Sequence, residues 1–473
     1  MGDFIKKIDA GILVIASMLV CFTLITFIAN PLIAFAGISA VASLCWLCFK
    51  PVRLIYAEII YSSCYSVLVS DFSFPSIISY GTDILNILAL LFAIKKFLEH
   101  KSFYFQSSRL FIGLFFIFVF FGVLSGVGHG ESAILILWAM RMFLRGPMFL
   151  FSCFMLLDDV HVKQMIRLVV GLFVICIFLS LIQYFVYGYS GDLIGGIYGT
   201  KSGGNGGLNS LIVYVTVIAL FGMLYKKISA KLCLFVVLSS LFVSSLAELK
   251  VYYLEFAAIL LMLVVLGKNF LKNMITVIFG LAGLSFGLNM IYTFFPNVKG
   301  FLDPSEIMLY TTSEGYGASG VNRGNGISVI NDTFLDSFMD KLFGLGLGSG
   351  QTNQFFESSL FKKYGETYHW VFFSNTWILL ETGFVGLATF ILIILLSGLK
   401  CYKLATSDID NRWLLKASMC LSVLSIVLLW YNQTAVSEPC YLMFFILSIP
   451  YVLAKSKCSN FKFEIKKPRF EVF

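Results

Sequence analysis

Apolar runs of roughly bilayer length follow one another along most of the chain, separated by short polar connections. A helix needs about 20 residues to cross a ~30 Å hydrocarbon core, and only helices or closed barrels satisfy their backbone there. The runs at 11–28, 31–48, 53–70, 83–99, 109–127, 132–156, 165–187, 208–226, 231–247, 250–267, 273–295, 370–399, 413–431 and 437–454 predict a single all-α, polytopic membrane domain of about fourteen transmembrane helices. Three of these runs, 53–70, 83–99 and 250–267, carry or abut a charge, and a short re-entrant segment can imitate such a span.

Two polar stretches interrupt the pattern. The first, the loop 188–208, carries most of GDLIGGIYGTKSGGNGGLNS (191–210), whose glycines reach positive φ at little cost and let backbone N–H groups face a ligand or a neighbouring segment. It reads equally as a flexible connector. The second, 296–370, is far longer than an ordinary connection and so is either functional or disordered. Its later part argues for structure: Ile327, Ile330, Phe334, Phe338 and Leu342 recur at helical spacing, while Asp332, Asp336 and Asp340 repeat every four residues on another face. One amphipathic helix lying on the membrane or on the bundle is expected there.

Composition agrees with lipid as the solvent: 59% apolar, 16% aromatic and only 13% charged, against about 25% charged in soluble domains. The net charge of +8 brings no nucleic-acid partner with it, because the basic residues are scattered through short loops and the tail 455–473. They orient the helices instead. With the N-terminus in the cytoplasm and strict alternation, 25 of the 34 Lys and Arg fall on the cytoplasmic side, so both termini are expected inside and 296–370 outside. Most of the eleven cysteines lie in or beside apolar runs, which speaks against a disulfide-stapled outer domain.

Arg141 and Arg145 sit mid-span, one turn apart and therefore on one face. A charge at that depth costs about 2.5–3.5 kcal/mol on insertion scales, so the face must meet a partner or a water-filled cavity. An ion pair with Glu58, Asp83 or Glu255 is one answer, and an anionic ligand is the other, helped by Gly146 and Pro147, which would loosen the helix. Lys250 begins a span after a short outer turn and either snorkels, pairs with Glu248 or holds phosphate. Arg323 precedes the GLGLGSG turn at 344–350, and His369, the one histidine of the island, stands just before Trp370 starts a span.

In order and spacing from about residue 190 to 390, these features resemble the O-antigen polymerase and ligase family of bacterial envelope glycosyltransferases. The series is a Gly-rich loop leading to a helix that begins with Asn209, a basic residue at an outer helix start, and a long outer loop with Arg323. It continues through Gly344, Gly346 and Gly348 to a histidine and then Glu381, Gly383 and Gly386. The resemblance implies a metal-independent glycosyltransferase without cofactor, acting at the outer (periplasmic) face of the bacterial cytoplasmic membrane. Its donor would be an oligosaccharide on undecaprenyl diphosphate, and a chain-length regulator protein is a possible further partner. Arg323 is assigned to catalysis, with Lys250, Arg141 and Arg145 on the diphosphates and His369 as base. In the ligase branch an Asn or Ser directly follows the histidine; here Ser374-Asn375 occupies that place and His369 lies upstream, so Glu366 and Tyr368 are alternative bases. Fourteen spans favour a polymerase, which adds the growing glycan to the non-reducing end of a new repeat unit, over a ligase that moves it to lipid A core. A flippase for lipid-linked sugars is the reading from another class. The sugar itself, and O antigen against capsule or exopolysaccharide, are not specified by these motifs.

Overall fold

The computed structural model describes residues 42–99, 101–201, 203–267, 270–296, 320–353 and 355–465. The first predicted span, most of the second, residues 297–319 of the long polar stretch and the end of the basic tail lie outside the described residues. The described chain is helical: α1 (Val52–Ser70), α2 (Gly81–Glu99), α3 (Lys101–Gly128), α4 (Ala133–Leu156), α5 (Asp159–Phe185), α6 (Gly204–Leu224), α7 (Ala230–Leu246), α8 (Lys250–Leu266) and α9 (Phe270–Phe294) precede the outer stretch. That stretch contributes α10 (Gly326–Thr333), α11 (Phe338–Phe343) and α12 (Ser359–Tyr368), and α13 (Ser374–Ser407), α14 (Arg412–Tyr431) and α15 (Cys440–Ile465) complete the chain.

Each predicted span from 53–70 onward coincides with one of these helices. Among the described residues nine helices are long and apolar enough to cross a membrane; α7 and α8, at 17 residues each, and the apolar part of α15 are shorter. Oxygen caps set several starts: the side chains of Ser132, Asp158 and Ser229 accept from the N–H groups of Leu135, His161 and Leu232.

The bundle is built around α13, which packs on α14, α3 and α15. Helix α15 crosses α4, where a Cβ on Gly146 would stand 2.2 Å from the Phe444 ring, so this glycine sets the approach of the two axes. Helix α6 is the most enclosed, with 89% of its apolar stretch buried, whereas α9 buries 17% and presents the rest outward. That contrast is the expected one between a bundle centre and a lipid-facing rim, since lipid and core make the same demand for apolar side chains.

The single amphipathic helix expected from Ile327 to Leu342 is corrected to two short ones. Helix α10 stops at Thr333 and α11 starts after Ser337, whose hydroxyl accepts from the Asp340 N–H while the Asp340 carboxylate accepts from the Ser337 N–H. Between them Phe334 and Leu335 turn inward and are buried, and Phe334 lies edge-on to Tyr364, Tyr368 and Trp370. Burying that aromatic cluster outweighs continuing one surface helix. The capping box fixes the break.

Helix ends gather around two cavities. Residues from 66, 192–209, 248–250, 323, 372–373 and 431–439 surround one cavity, and residues from 159–170, 227–232, 408–413 and 453–456 surround another. The helix ends thus fall into two groups, one at each cavity.

Candidate functional site

The first of these cavities has a volume of ≈ 500 Å³. Its floor is the Gly-rich stretch, which is ordered rather than a loose connector: Ile194, Ile197 and Tyr198 are buried, and the Gln183 side chain both accepts from the Gly196 N–H and donates to its carbonyl. Asp71 fastens the same stretch by accepting from the backbone N–H and hydroxyl of Thr200. Gly199 and Gly203 take φ values of +82° and +81°, the left-handed region open to glycine. Helix α6 starts at Gly204, so Asn209 lies inside it and not at its first turn; its amide donates to buried Glu255 at 2.9 Å.

Three cationic side chains line this cavity: Lys201 from the Gly-rich stretch, Lys250 from the first turn of α8, and Arg323 from the turn before α10. The turn that presents Arg323 is fixed by its neighbours, because the Asn322 side chain accepts from the N–H groups of Gly324 and Asn325 while the Asn325 side chain accepts from the Asn322 N–H. The guanidinium lies over the Tyr431 ring at 4.5 Å and the Phe373 ring at 5.5 Å. Lys250 pairs with Glu248 at 3.1 Å, and Glu248 itself holds φ +52° in the α7–α8 turn, a strained setting for a side chain of its size. Two of the sequence readings for Lys250 therefore coexist: it pairs with Glu248 and faces the cavity.

Carboxylates face the cations across the same space. Asp192 accepts from the Asn205 amide at 2.6 Å, and Glu438 accepts from Arg145 at 3.4 Å. Lys201, Asp192, Tyr431 and Glu438 were not singled out in the sequence, although the polar connection YNQTAVSEP between two apolar runs (431–439) was a usable signal.

The other expected site residues fall elsewhere. Arg145 is 2% exposed and reaches the cavity only through Glu438. Arg141 meets Asp83 at 2.6 Å and stacks over Trp138 and Tyr80 at 4.3 and 5.1 Å, so the ion-pair answer for the mid-span arginines is the one the structure gives. Helix α4 runs unbroken through Gly146 and Pro147, and the Asn86 amide caps the Arg145 carbonyl at 2.9 Å. His369 adopts the left-handed conformation at the end of α12, and its ring stacks on Phe372 at 5.1 Å; Phe372 lines the cavity, His369 does not. Glu366 is exposed on α12, and Tyr368 packs edge-on to Phe334, both away from the cavity lining.

The GLGLGSG turn is occupied by the protein itself. It sinks between α3 and α13, where Leu347 donates to the Gly122 carbonyl at 2.9 Å, six residues and so about 9 Å before the C-terminal end of α3. Irregular backbone at that depth must be satisfied internally. Glu381, fully buried, does this: its carboxylate accepts from the N–H groups of Gly348 (2.9 Å) and Gly350 (3.1 Å), the Gln351 amide (2.7 Å) and the Trp377 indole (3.0 Å). Gly383, at φ +62° and ψ −168°, bends α13 there, and the Leu380 carbonyl accepts from Leu345.

No family model matches the chain, and no curated protein matches it in sequence.

Proposed function

We propose that this protein polymerises polysaccharide repeat units carried on undecaprenyl diphosphate, at the outer face of a bacterial cytoplasmic membrane. The observation that carries the reading is the meeting of Arg323, Lys250 and Lys201, from three distant parts of the chain, in one outward cavity between apolar helices. A lipid-linked sugar diphosphate needs cations of this kind at the polar end of a membrane bundle. It also needs polar and aromatic groups beside them for the sugar, and Asn432, Gln433, Thr434 and Tyr431 supply these.

The reaction asks little else of the protein. An acceptor hydroxyl oxygen forms a bond to the anomeric carbon of the donor, the bond from that carbon to the diphosphate oxygen breaks, and the diphosphate leaves with the electron pair. Arg323 provides a planar fork for two phosphate oxygens, and Lys250 and Lys201 provide point charges; together they stabilise the leaving group as its charge grows. The hydroxyl proton passes to Asp192, which among the described residues is the cavity carboxylate outside an ion pair, since Glu248 is paired with Lys250 and Glu438 with Arg145. His369 then acts at the rim through Phe372, positioning rather than accepting the proton. The donor is already activated, so a nucleotide site has no part in the scheme.

Purified protein given lipid-linked repeat units in detergent tests this directly. The expected product is a ladder of lengthening glycans that vanishes in Arg323→Ala and weakens in Lys250→Ala. Transfer only after a lipid A core acceptor is added would make the protein a ligase, and movement of the intact lipid-linked unit across liposomes without new glycosidic bonds would make it a flippase.

A further inference from the structure

The cavity at the opposite end of the bundle has a volume of ≈ 820 Å³ and no part in the scheme above. Along α5 its wall runs Asp159, Lys163, Ile166, Arg167 and Val170. Steps of three and four residues put all five on one helix face, a strip about 16 Å long. Charged groups line its start, apolar groups join from Ile166 inward, and Arg167 stands at the boundary between them. The facing wall repeats this order, with Lys227 and Asp410 in the turns at the mouth and Leu232, Trp413 and Leu453 on the helices. A small soluble anion would use only the mouth and leave the apolar strip wet. An amphiphile standing upright in the membrane covers both.

The charges at the mouth narrow the headgroup. Lys163 is taken by Asp159 at 2.9 Å, and Asp408 accepts from the N–H and amide of Asn411 at 3.1 and 3.3 Å. Arg167, Lys227 and Asp410 remain; all three are exposed, and among the described residues none has an opposite charge within ion-pair distance. Two cations beside one carboxylate match a phosphodiester joined to a primary ammonium. A headgroup with phosphate alone would leave Asp410 facing a negative charge.

We infer that this crevice binds a glycerophospholipid of the phosphatidylethanolamine type, its phosphate on Arg167 and Lys227, its ammonium on Asp410, and its acyl chains along Ile166, Val170 and Leu232. Basic pockets between helices on the cytoplasmic side are the usual setting for lipid headgroups, and the bias in basic residues assigns this end to that side. The inference stands apart from the polymerase reading, because its test measures lipid and not turnover.

The test is native mass spectrometry of the full chain released from detergent after incubation with an equal mixture of phosphatidylethanolamine, phosphatidylcholine and phosphatidylglycerol of matched acyl chains. Wild-type protein is expected to retain phosphatidylethanolamine in preference to both others. The Arg167→Gln, Lys227→Gln double variant should lower its retention about tenfold or more, and Asp410→Asn should abolish the preference over phosphatidylglycerol. Equal retention of all three lipids by wild-type protein, preference for phosphatidylglycerol, or retention untouched by the double variant would each overturn the site. The wild-type competition needs no variant to fold.

Discussion

Two glycine-rich segments of this protein look alike in sequence and have opposite fates. The stretch around Gly199 to Gly207 borders an open cavity with three cations in it, whereas the GLGLGSG turn at 344–350 is wrapped around the carboxylate of Glu381. In both, glycine permits backbone that other residues resist. What separates them is a buried acid: four donors converge on Glu381, so that turn already holds its anion, and the anion belongs to the protein. A glycine motif thus tells where backbone N–H groups can converge, and the nearest buried carboxylate tells whether they are available to a ligand.

The comparison breaks most visibly at Glu381. In Glu381→Ala four buried donors lose their acceptor, at roughly 1–3 kcal/mol each, a total comparable with the ~5–15 kcal/mol stability of a whole domain. The expected result is little or no monodisperse protein by size-exclusion chromatography. Arg323→Ala is the counterpart on the open side: it should cut polymerisation by about 10²–10³ while the melting temperature changes little, and Arg323→Lys should fall between, having charge without the fork. Normal turnover in Arg323→Ala would remove the cavity from the chemistry.

Smaller effects sharpen the contrast. A Cβ on Gly346 would lie 2.0 Å from the Gly126 backbone nitrogen, but one on Gly203 meets nothing within 4 Å, although both glycines have positive φ. Gly203→Ala should therefore cost about 1 kcal/mol of conformational strain, and Gly346→Ala several times more, as compared by thermal melting. The smallest effect concerns the latch between α11 and the α3–α4 turn, where His129 meets Asp340 at 3.2 Å. Burial pushes the Asp340 carboxyl up, but its bonds to Ser337 and the neighbouring His129 outweigh this and hold it below the usual range. A depressed carboxyl contributes stability that is complete above its unfolded value, about 3.9, and lost as pH falls through the folded one. Melting temperature should drop below about pH 4, and less steeply in Asp340→Asn.

Much of the fold was legible because lipid simplifies the code: every apolar run from 53–70 to 437–454 that lies in the described residues is a helix. Local pattern failed where tertiary burial won. Phe334 fits the stripe of a single helix, yet the aromatic cluster with Tyr364, Tyr368 and Trp370 draws it inward and splits the segment. At the site, Lys250 could be picked out as a cation at a helix start after a short turn, and Arg323 by its place before the GLGLGSG turn in the family resemblance. Lys201 carried no such mark, and the polar connection holding Glu438 gave no hint of its neighbours, since only the fold brings 201, 250, 323 and 438 to one place. The mid-span arginines announced only that they have partners: Asp83 was among the candidates for Arg141, whereas Glu438, distant in sequence, was not among those for Arg145.

The most direct measurement is photo-crosslinking with a lipid-linked repeat unit that carries a photoreactive group on its first sugar, followed by mapping of the labelled peptides. The account predicts label on peptides from 192–209 and 431–439, reduced in Arg323→Ala. Label concentrated on 344–351, with the Gly-rich stretch untouched, would mean that the closed turn opens to hold the diphosphate, and would contradict the assignment of the outer cavity.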